Sequence, residues 1–316
     1  MPHLGRLDSR LIVKLILELE RPLHIGLGET VLERHKKLLK IKLINGVEVP
    51  IIPSSSIKGA LRSISEKIAK NMVFKEKIEN DAVQLHIEKA EITHNRSSEL
   101  FKERVQNIIE KLKRDKTHEI IALTGLSEDK IGEIISNYEL KGVEGLIDEN
   151  YIKYFDLYLA MHCPICRLYG APRLAGKMKL SDALPLKNIE TKFRTHTSID
   201  RKSMTAKEHY LYTLELLEPI TNFQLELICD NVMPGESDAK LLAATLNYIK
   251  KLGLQLGGRK SIGLGLMKIS NQTKCTYINF KELEKPSEAI EAILNPWKHE
   301  KPINDIIEIL KGTILF

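Results

Sequence analysis

A serine triplet followed by two cations is the first segment whose residue types could bind an anion. The serines stand at the predicted start of a helix, where backbone N–H groups are unpaired, and the two cations lie one turn apart on that helix. N–H groups, hydroxyls and cations together suit a phosphate. An ordinary N-cap followed by a solvated basic face explains this segment equally well. The candidate residues are Ser54, Ser55, Ser56, Lys58 and Arg62.

A glycine-rich turn, LQLGGRKSIGLG, lies between a predicted helix and a predicted strand. Its backbone can approach a partner closely, while its polar side chains add two cations and a hydroxyl. The turn satisfies neither the GxxxxGK[ST] pattern nor the dinucleotide fingerprint, and a plain connection is the alternative. The candidate binding residues are Gly257, Gly258, Arg259, Lys260 and Ser261.

A third segment is basic without clear periodicity. Between residues 192 and 208 five basic residues stand against two acidic ones. A flexible basic arm would use such charge to contact a polyanion, whereas a solvated loop would carry it without a partner. The candidate residues are Arg194, Arg201 and Lys202.

The segment HCPICRLYG places Cys163 and Cys166 at knuckle spacing. A closed tetrahedral zinc site needs four ligands, and the sequence has no second C-x-x-C or H-x-x-x-H. His86, His94 or Cys229 could complete such a site only through the fold. We therefore expect a metal-free thiol pair and no cofactor required for folding, with zinc as the alternative.

Composition narrows the class of protein that must position these segments. In 316 residues, 43% are hydrophobic and 28% charged, which excludes disordered, collagen-like and disulfide-scaffold classes. The net charge of +6 permits a polyanionic partner, and because aromatics are only 5%, a nucleic acid would be held mainly through its backbone. Four cysteines do not make a disulfide framework, and no apolar run approaches 18 residues, so we expect a cytoplasmic protein without membrane partners.

The hydrophobic pattern predicts the order of elements. Apolar residues at odd positions predict a strand from Ser9 to Leu23, Asn45-Gly46 predicts a hairpin, and Ile57, Leu61, Ile64 and Ile68 form the apolar stripe of a helix. Further strands are predicted in KMKLSDALPL, HYLYTLELLEP, TNFQLELICDNV and IGLGLMKIS, with a helix from Ser237 to Gly253 before the last of them.

This order indicates an α+β protein with a ferredoxin-like, RRM-like core that carries the glycine-rich loop and several additions. We divide the chain into residues 1–74, the first part of the core; 75–160, a helical insertion; 161–270, the remainder of the core with a thumb-like segment 191–209; and 271–316, a C-terminal helical tail. The fold class alone gives no activity.

Taken together, the segments resemble the RAMP superfamily of CRISPR proteins, and within it the repeating backbone subunit of type III (Csm/Cmr) effector complexes. IPSSSIKGALR, CPICRLYG with the later SDA, and LGGRKSIGLG are similar to three family motifs. SIDRKSMTAKEHYLYTLE resembles the family's thumb region. One departure is Ser54, which stands where the family usually has glycine.

The resemblance implies copies of an RRM-like core stacked along a CRISPR RNA, bound independently of its sequence. The implied partners are that RNA, a complementary target RNA, and other effector subunits, including copies or paralogues of this chain. One alternative is a stand-alone CRISPR-RNA processing endoribonuclease with His24 or His35 as general acid or base. Another is a protein-interaction module that caps the filament.

Target cleavage is the second departure from the family. The related subunits use an aspartate in the loop after the first strand for metal-dependent cutting, and the corresponding position is Leu38. No acidic residue lies between Lys36 and Val47. We therefore predict weak or absent cleavage; if the complex does cut RNA with Mg²⁺, Glu33 is the expected source of activity, with His35 as an acid–base participant.

Overall fold

The structure is a computed structural model that describes residues 6–26, 35–44, 46–88, 99–114, 127–148, 151–187, 189, 191–199, 206–219, 221–283 and 285–313. Its helices are α1 Ser54–Ala69, α2 Lys77–Ile87, α3 Glu99–Arg114, α4 Glu128–Asp148, α5 Ile152–His162, α6 Pro164–Tyr169, α7 Ser237–Leu252, α8 Pro286–Leu294 and α9 Ile303–Lys311. Its strands are β1 Ser9–Leu19, β2 His35–Lys36, β3 Lys40–Lys42, β4 Glu48–Pro50, β5 Met178–Leu180, β6 Leu184–Pro185, β7 Thr191–Ile199, β8 Ala206–Leu217, β9 Asn222–Asp230, β10 Leu254–Gln255, β11 Leu266–Ile269, β12 Lys274–Asn279 and β13 Glu300–Lys301.

Strand β1 is the centre of the main sheet. Its odd-numbered residues, from Leu11 to Leu19, are buried, as the alternation predicts. One side of β1 pairs with β9, and the other side pairs with β12 along its first half and with β11 at its end. Strands β5 and β6 continue the sheet beyond β9, and every one of these pairings is antiparallel.

The core elements follow one another as β1, α1, β5 with β6, β9, α7 and β11. Across the sheet these strands lie in the order β11, β1, β9, and then β5 with β6. The fourth core strand is thus next to the first, and the third lies between the first and the second, which is the βαββαβ arrangement of a ferredoxin-like fold. The prediction of an α+β fold with this core is therefore confirmed. The hairpin predicted around Asn45-Gly46 is also present as β3 and β4, although Asn45 itself lies outside the described residues.

Helix α1 begins differently from the prediction. The helix starts at Ser54 with Pro53 in the N-cap position, and no side chain of the serine triplet caps it. Instead, the backbone N–H of Ser54 donates to Oδ1 of Asp182, 2.7 Å away and 128 residues later in the chain. This carboxylate satisfies one of the free N–H groups and complements the positive end of the helix dipole.

The predicted insertion is helical wherever it is described, and it comprises α2 to α5. Buried charges hold its first helix to the core. Glu79 of α2 accepts from the Ser237 hydroxyl at 2.7 Å and pairs with Arg167 at 3.3 Å, while Lys177 donates to Asp238 at 2.6 Å beside them. Because Glu79 and Asp238 are buried, these partners compensate for the water that their side chains lose.

Residues 191–217 form a hairpin of β7 and β8, which we call the thumb. Residues 191–199 were expected to be a flexible arm or a solvated loop, and they are instead a strand. The hydrophobic pattern missed this strand because most of its side chains are exposed, as Phe193 is at 64%. Residues 200–205 lie outside the described part of the chain.

The last core strand is longer than predicted. It reaches the expected end near Ser270, bulges over residues 270–273, and then continues as β12 along β1. At the bulge, the Thr273 hydroxyl accepts a hydrogen bond from the N–H of Ile16 at 3.1 Å. The tail predicted as helical therefore begins with a strand, and its helices are α8 and α9.

Among the described residues, no helix combines the length and the apolar character needed to cross a membrane.

Candidate nucleic-acid interface

Two of the predicted segments meet across a cleft. We call residues 256–265 the glycine loop; this loop and the N-terminal half of α1 face each other around a volume of about 390 Å³. The segment that follows β1 closes one side. The lining residues are Ile25, Gly26, Ser56, Gly59, Ala60, Ser63, Leu256, Gly257, Gly258 and Lys260.

The cleft side of α1 carries only small side chains. Ser56, Gly59, Ala60 and Ser63 recur at spacings of three and four, so they form one stripe of the helix. A Cβ atom built on Gly59 would meet nothing within 4 Å. Because glycine in a helix interior costs about 1 kcal/mol relative to alanine, and packing within the described chain does not require it, this position leaves room for a partner.

The glycine loop has two kinds of glycine. Gly257 and Gly265 have positive φ, and Cβ atoms there would lie 2.3 Å from the His24 carbonyl and 1.9 Å from the Leu256 carbonyl, so the loop's own shape requires them. Gly258 differs, because a Cβ there would meet nothing within 4 Å and its φ is not positive. Its N–H donates to the His24 carbonyl at 3.0 Å, which fixes the loop beside β1.

The loop contributes one cation to the cleft lining, Lys260, and Arg259 precedes it in the chain. Both side chains are exposed, and no carboxylate is among the described residues that line the cleft. A larger groove of about 1010 Å³ lies at the end of β1, and it is lined by three carboxylates, of Glu18, Glu20 and Glu218, and by two cations, Arg21 and Lys187. Acidic residues outnumber basic ones in that groove, whereas the described lining of the smaller cleft carries the Lys260 cation and no acidic residue, so charge favours the smaller cleft for phosphates.

Lys58 and Arg62 lie on another face of α1, not among the lining residues. The Lys58 ammonium donates to the Met178 carbonyl at 3.2 Å, and burial, followed by the Arg62 charge, lowers the pKa of Lys58. The Arg62 guanidinium donates to Glu66 at 3.2 Å and to the Gly170 carbonyl at 3.3 Å. RNA binding by these two residues stays a prediction, and the structure gives both of them intramolecular partners.

The open face of the main sheet is unlike the stacking surface of an RNA-binding RRM. In that module aromatic side chains of the central strands stack on bases. Here the even-numbered residues of β1 and β9 occupy this face and include no aromatic ring. The Trp297 ring is near this face, but the Lys14 ammonium lies over it, 4.5 Å from its centroid. Base stacking on these strands is therefore not available.

Cys163 and Cys166 meet His86, one of the three residues considered as an additional ligand. The three side chains are fully buried, and their donor atoms lie within 4.8 Å of one another. Nδ1 of His86 is 3.3 Å from the Cys166 sulfur, and its Nε2 is 3.1 Å from a Glu66 oxygen. Cys229 lies outside this cluster, on β9, and His94 is outside the described residues.

Hydrogen bonds determine protonation in this cluster. Burial would lower the pKa of His86, but its hydrogen bonds with Cys163 and Glu66 outweigh burial and raise it. The hydrogen bond with Cys163, together with burial, raises the pKa of Cys166 well above its usual range. Two thiols and an imidazole with a carboxylate on its far nitrogen would also suit three ligands of a zinc ion.

The segment predicted to contain a catalytic group is only partly described. Glu33 lies outside the described residues, and His35 pairs through its backbone with Thr213 in the parallel pair of β2 and β8. His24 is only 7% exposed, and its Nδ1 is 2.8 Å from the Glu215 carbonyl, which favours a structural role. Leu38 is buried, and its N–H donates to the Glu215 carboxylate at 2.9 Å.

The remaining predicted residues are spread over the thumb and the loop. Arg194 on β7 pairs with Glu218 at 3.2 Å, and Ser261 is exposed in a short 3-10 turn of the glycine loop. Arg201 and Lys202 lie outside the described residues. Ser54 and Ser55 are in the first turn of α1, next to Ser56 at the cleft.

A comparison with protein families agrees with this geometry. The family model of the RAMP superfamily matches residues 16–268, well over half of the chain. The chain belongs to the RAMP superfamily. No curated protein matches the sequence of this RAMP protein. The match includes α1, the cysteine segment, the thumb and the glycine loop, and membership is consistent with CRISPR-associated RNA binding.

Sequence reasoning missed part of the candidate interface of this RAMP protein. Gly59 and Ser63 were not recognised, although the small-residue stripe at helical spacing on α1 could have indicated them. Tyr212 on β8 was also missed, and it lies beneath the Arg259 side chain. No sequence signal joins these two residues, because they are 47 positions apart and belong to different elements.

Proposed function

We propose that this protein is a CRISPR-RNA-binding backbone subunit of a type III interference complex and that it binds RNA independently of base sequence. RAMP membership and the type III-like motifs support this role. The observation that carries the binding mode is the cleft, where Gly59 and Gly258 leave open space and the exposed Lys260 lines the same volume. Such a site accepts a sugar-phosphate chain and offers nothing that distinguishes one base from another.

The groups around the cleft have separate tasks in this proposal. Arg259 and Lys260 neutralise phosphate charge, and the hydroxyls of Ser56 and Ser63 donate hydrogen bonds to phosphate oxygens. The open positions of Gly59 and Gly258 let the nucleic-acid backbone come close to the protein backbone. Because the described residues of the lining include no carboxylate, they oppose phosphate binding with little charge repulsion.

The same proposal names the partners and assigns cleavage elsewhere. CRISPR RNA, complementary target RNA and other effector subunits, including copies or paralogues of this chain, bind it in the cytoplasm. The described residues that line the cleft offer no carboxylate for Mg²⁺, and in this proposal any cutting of target RNA uses Glu33, with His35 as an acid–base participant.

Salt-dependent binding tests the proposal. Fluorescence anisotropy would measure the affinity of the purified protein for three labelled RNAs of equal length and unrelated sequence. Each affinity would be measured at salt concentrations between about 50 and 300 mM. We expect affinities within about two-fold of one another and a steep linear fall of log affinity with log salt. The double variant Arg259→Gln/Lys260→Gln should weaken all three RNAs alike and flatten the slope by about 1.4.

A matched control removes the same charge elsewhere. Lys75 and Lys77 are exposed near the far end of α1, and Lys75→Gln/Lys77→Gln should leave the slope unchanged. A strong preference for one RNA, or equal slopes in both double variants, would contradict the cleft as the binding site. Site-specific cutting of a repeat RNA by the isolated protein would support the processing nuclease instead, and weak RNA binding with tight binding to other subunits would support the capping module.

A further inference from the structure

One of the contacts between the glycine loop and the thumb joins a cation to an aromatic ring. The guanidinium carbon of Arg259 lies 4.4 Å from the centroid of the Tyr212 ring. An arginine at this distance is attracted to the face of the ring, and its flat guanidinium can lie against that face while its N–H edges remain accessible.

A small apolar cluster holds the ring in place. Leu214 and Leu216 of β8 and Leu264 of the glycine loop are buried together, separately from the main core, and Tyr212 packs against them. On the neighbouring strand, His196 lies opposite Tyr212, with their rings nearly parallel and their centroids 5.5 Å apart. The Tyr212 ring is therefore supported by both the thumb and the loop.

The backbone of Arg259 adds a second constraint. Arg259 adopts a left-handed conformation, with φ of 60°, which is uncommon for residues other than glycine. Its carbonyl accepts from the Ile262 N–H at 3.2 Å, and the preceding residue is bonded to the His24 carbonyl. The direction in which the side chain leaves the loop is thus fixed, and that direction leads over Tyr212.

The guanidinium has no competing partner among the described residues. No carboxylate or carbonyl in that part of the chain accepts a hydrogen bond from it, and the residue is exposed. Stacking therefore occupies one face of the group while its donors stay available, in contrast to Arg62, whose donors bind Glu66 and Gly170.

We propose that Tyr212 is a positioning residue that holds the Arg259 guanidinium so that its N–H groups point to a phosphate of the bound RNA. This inference rests on the proposed RNA-binding function. It gives Tyr212 a role that needs its ring and not its hydroxyl, and the ring acts through Arg259 without touching RNA.

A double-mutant cycle tests the inference on the full-length protein. RNA affinity would be measured for Tyr212→Leu, Tyr212→Phe, Arg259→Gln and the double variant Tyr212→Leu/Arg259→Gln. We expect Tyr212→Leu and Arg259→Gln each to weaken binding by about three- to five-fold, and the double variant to be no weaker than Arg259→Gln alone. Tyr212→Phe should restore affinity to within about two-fold of the wild type, because it keeps the ring.

Two readouts separate this role from a structural one and from failure of the proposed function. Tyr212→Leu should lower the salt slope by about 0.7, as expected for one lost phosphate contact, although it removes no charge. In the free protein, NMR should show ring-current shifts of the Arg259 side chain that Tyr212→Leu abolishes and Tyr212→Phe retains. Those shifts can be observed even if no RNA binds.

Several outcomes would overturn the inference. If the losses in the two single variants multiply in the double variant, Tyr212 acts independently of Arg259. If Tyr212→Leu binds RNA like the wild type, or if the ring-current shifts are absent, the ring does not position the guanidinium. If Tyr212→Phe binds as weakly as Tyr212→Leu, the hydroxyl carries the effect.

Discussion

Helix α1 has two polar faces that differ in both charge and accessibility. The cleft face has small uncharged residues and an open glycine position, Gly59, with the exposed cations supplied by the loop opposite. The other face carries Lys58 and Arg62, which look like anion-binding residues in the sequence but bond to carbonyls and carboxylates of the same chain. A basic residue next to a binding motif can thus serve the fold, whereas a position without a side chain can serve the ligand.

The difference follows from what lies against each face. Arg62 is close to the buried group of His86, Cys163 and Cys166 through Glu66, so this side of α1 is part of the interior between the core and the insertion. The cleft side faces only the glycine loop and the segment after β1. Substitutions on the interior side should therefore act on stability, and those on the cleft side on RNA affinity.

The largest effect is expected in the cysteine cluster. Cys163→Ser/Cys166→Ser should lower the free energy of unfolding by about 2–4 kcal/mol, because two buried hydroxyls replace thiols in a fully enclosed site. The RNA affinity of the folded protein should change by less than about two-fold. Urea unfolding measures the stability, and fluorescence anisotropy measures the RNA affinity. A loss of affinity without a loss of stability would contradict the distinction between the two faces of α1.

The metal content of the wild type sharpens this prediction. We expect protein purified without added metal to contain little zinc, with the imidazole and thiols held by their own hydrogen bonds. Near-stoichiometric zinc by elemental analysis would reverse this expectation and make His86, Cys163 and Cys166 its ligands. In that case chelation, like the double serine variant, should destabilise the protein.

A smaller effect is expected at Arg62. Arg62→Ala should lower the free energy of unfolding by about 1–2 kcal/mol, because the Gly170 carbonyl and Glu66 each lose a donor. Lys67→Ala, at an exposed position of the same helix, is the matched control and should change stability by less than about 0.5 kcal/mol. If Arg62→Ala weakens RNA binding as much as Arg259→Gln, the sequence-based assignment of Arg62 to RNA is correct, and the two faces are not functionally distinct.

The smallest effect on stability has the opposite sign. Gly59→Ala should stabilise the protein by up to about 1 kcal/mol, because the new methyl group meets open space and alanine favours a helix. RNA affinity should nevertheless fall about three-fold, since that space is where the RNA backbone approaches. Gly132→Ala on α4, also with nothing within 4 Å, should stabilise without changing affinity. Unchanged affinity in Gly59→Ala would mean that RNA does not come close to this position.

An element could be predicted from the sequence where one of its faces is buried and the opposite face is not. The odd residues of β1 are buried against the helices, so alternation reveals the strand, and Ile57 and Leu61 reveal α1 in the same way. The strand β7 has most of its residues exposed, and its Thr and basic residues show no contrast between faces. Residues 270–273 were predicted to end a strand because the polar residues of a bulge resemble those that follow the last residue of a strand.

In the candidate site, residues within one local segment could be predicted, whereas contacts between distant segments could not. Arg259 and Lys260 could be predicted because glycine-rich loops with cations bind anions through local structure. The approach of His86 to two cysteines about 80 residues later, and that of Tyr212 to Arg259, depend on how distant elements pack. Gly59 was overlooked because a glycine inside a helix indicates only lower helix stability when the space around it is unknown.

The position of β1 in the sheet also affects synthesis of the chain. Leu11 pairs with Cys229 on one side and with Tyr277 on the other, so neither partner exists until more than 200 further residues have been made. At about 5–20 residues per second, β1 stays without its neighbours for about 10 to 40 s on the ribosome. The backbone hydrogen bonds of the insertion's helices are local, so these helices can begin to form within that interval, before α2 meets its partner Ser237. An apolar strand that remains unpaired for this time is a substrate for chaperones. The yield of folded protein in the cell should therefore depend on the translation rate as well as on the stability of the native structure.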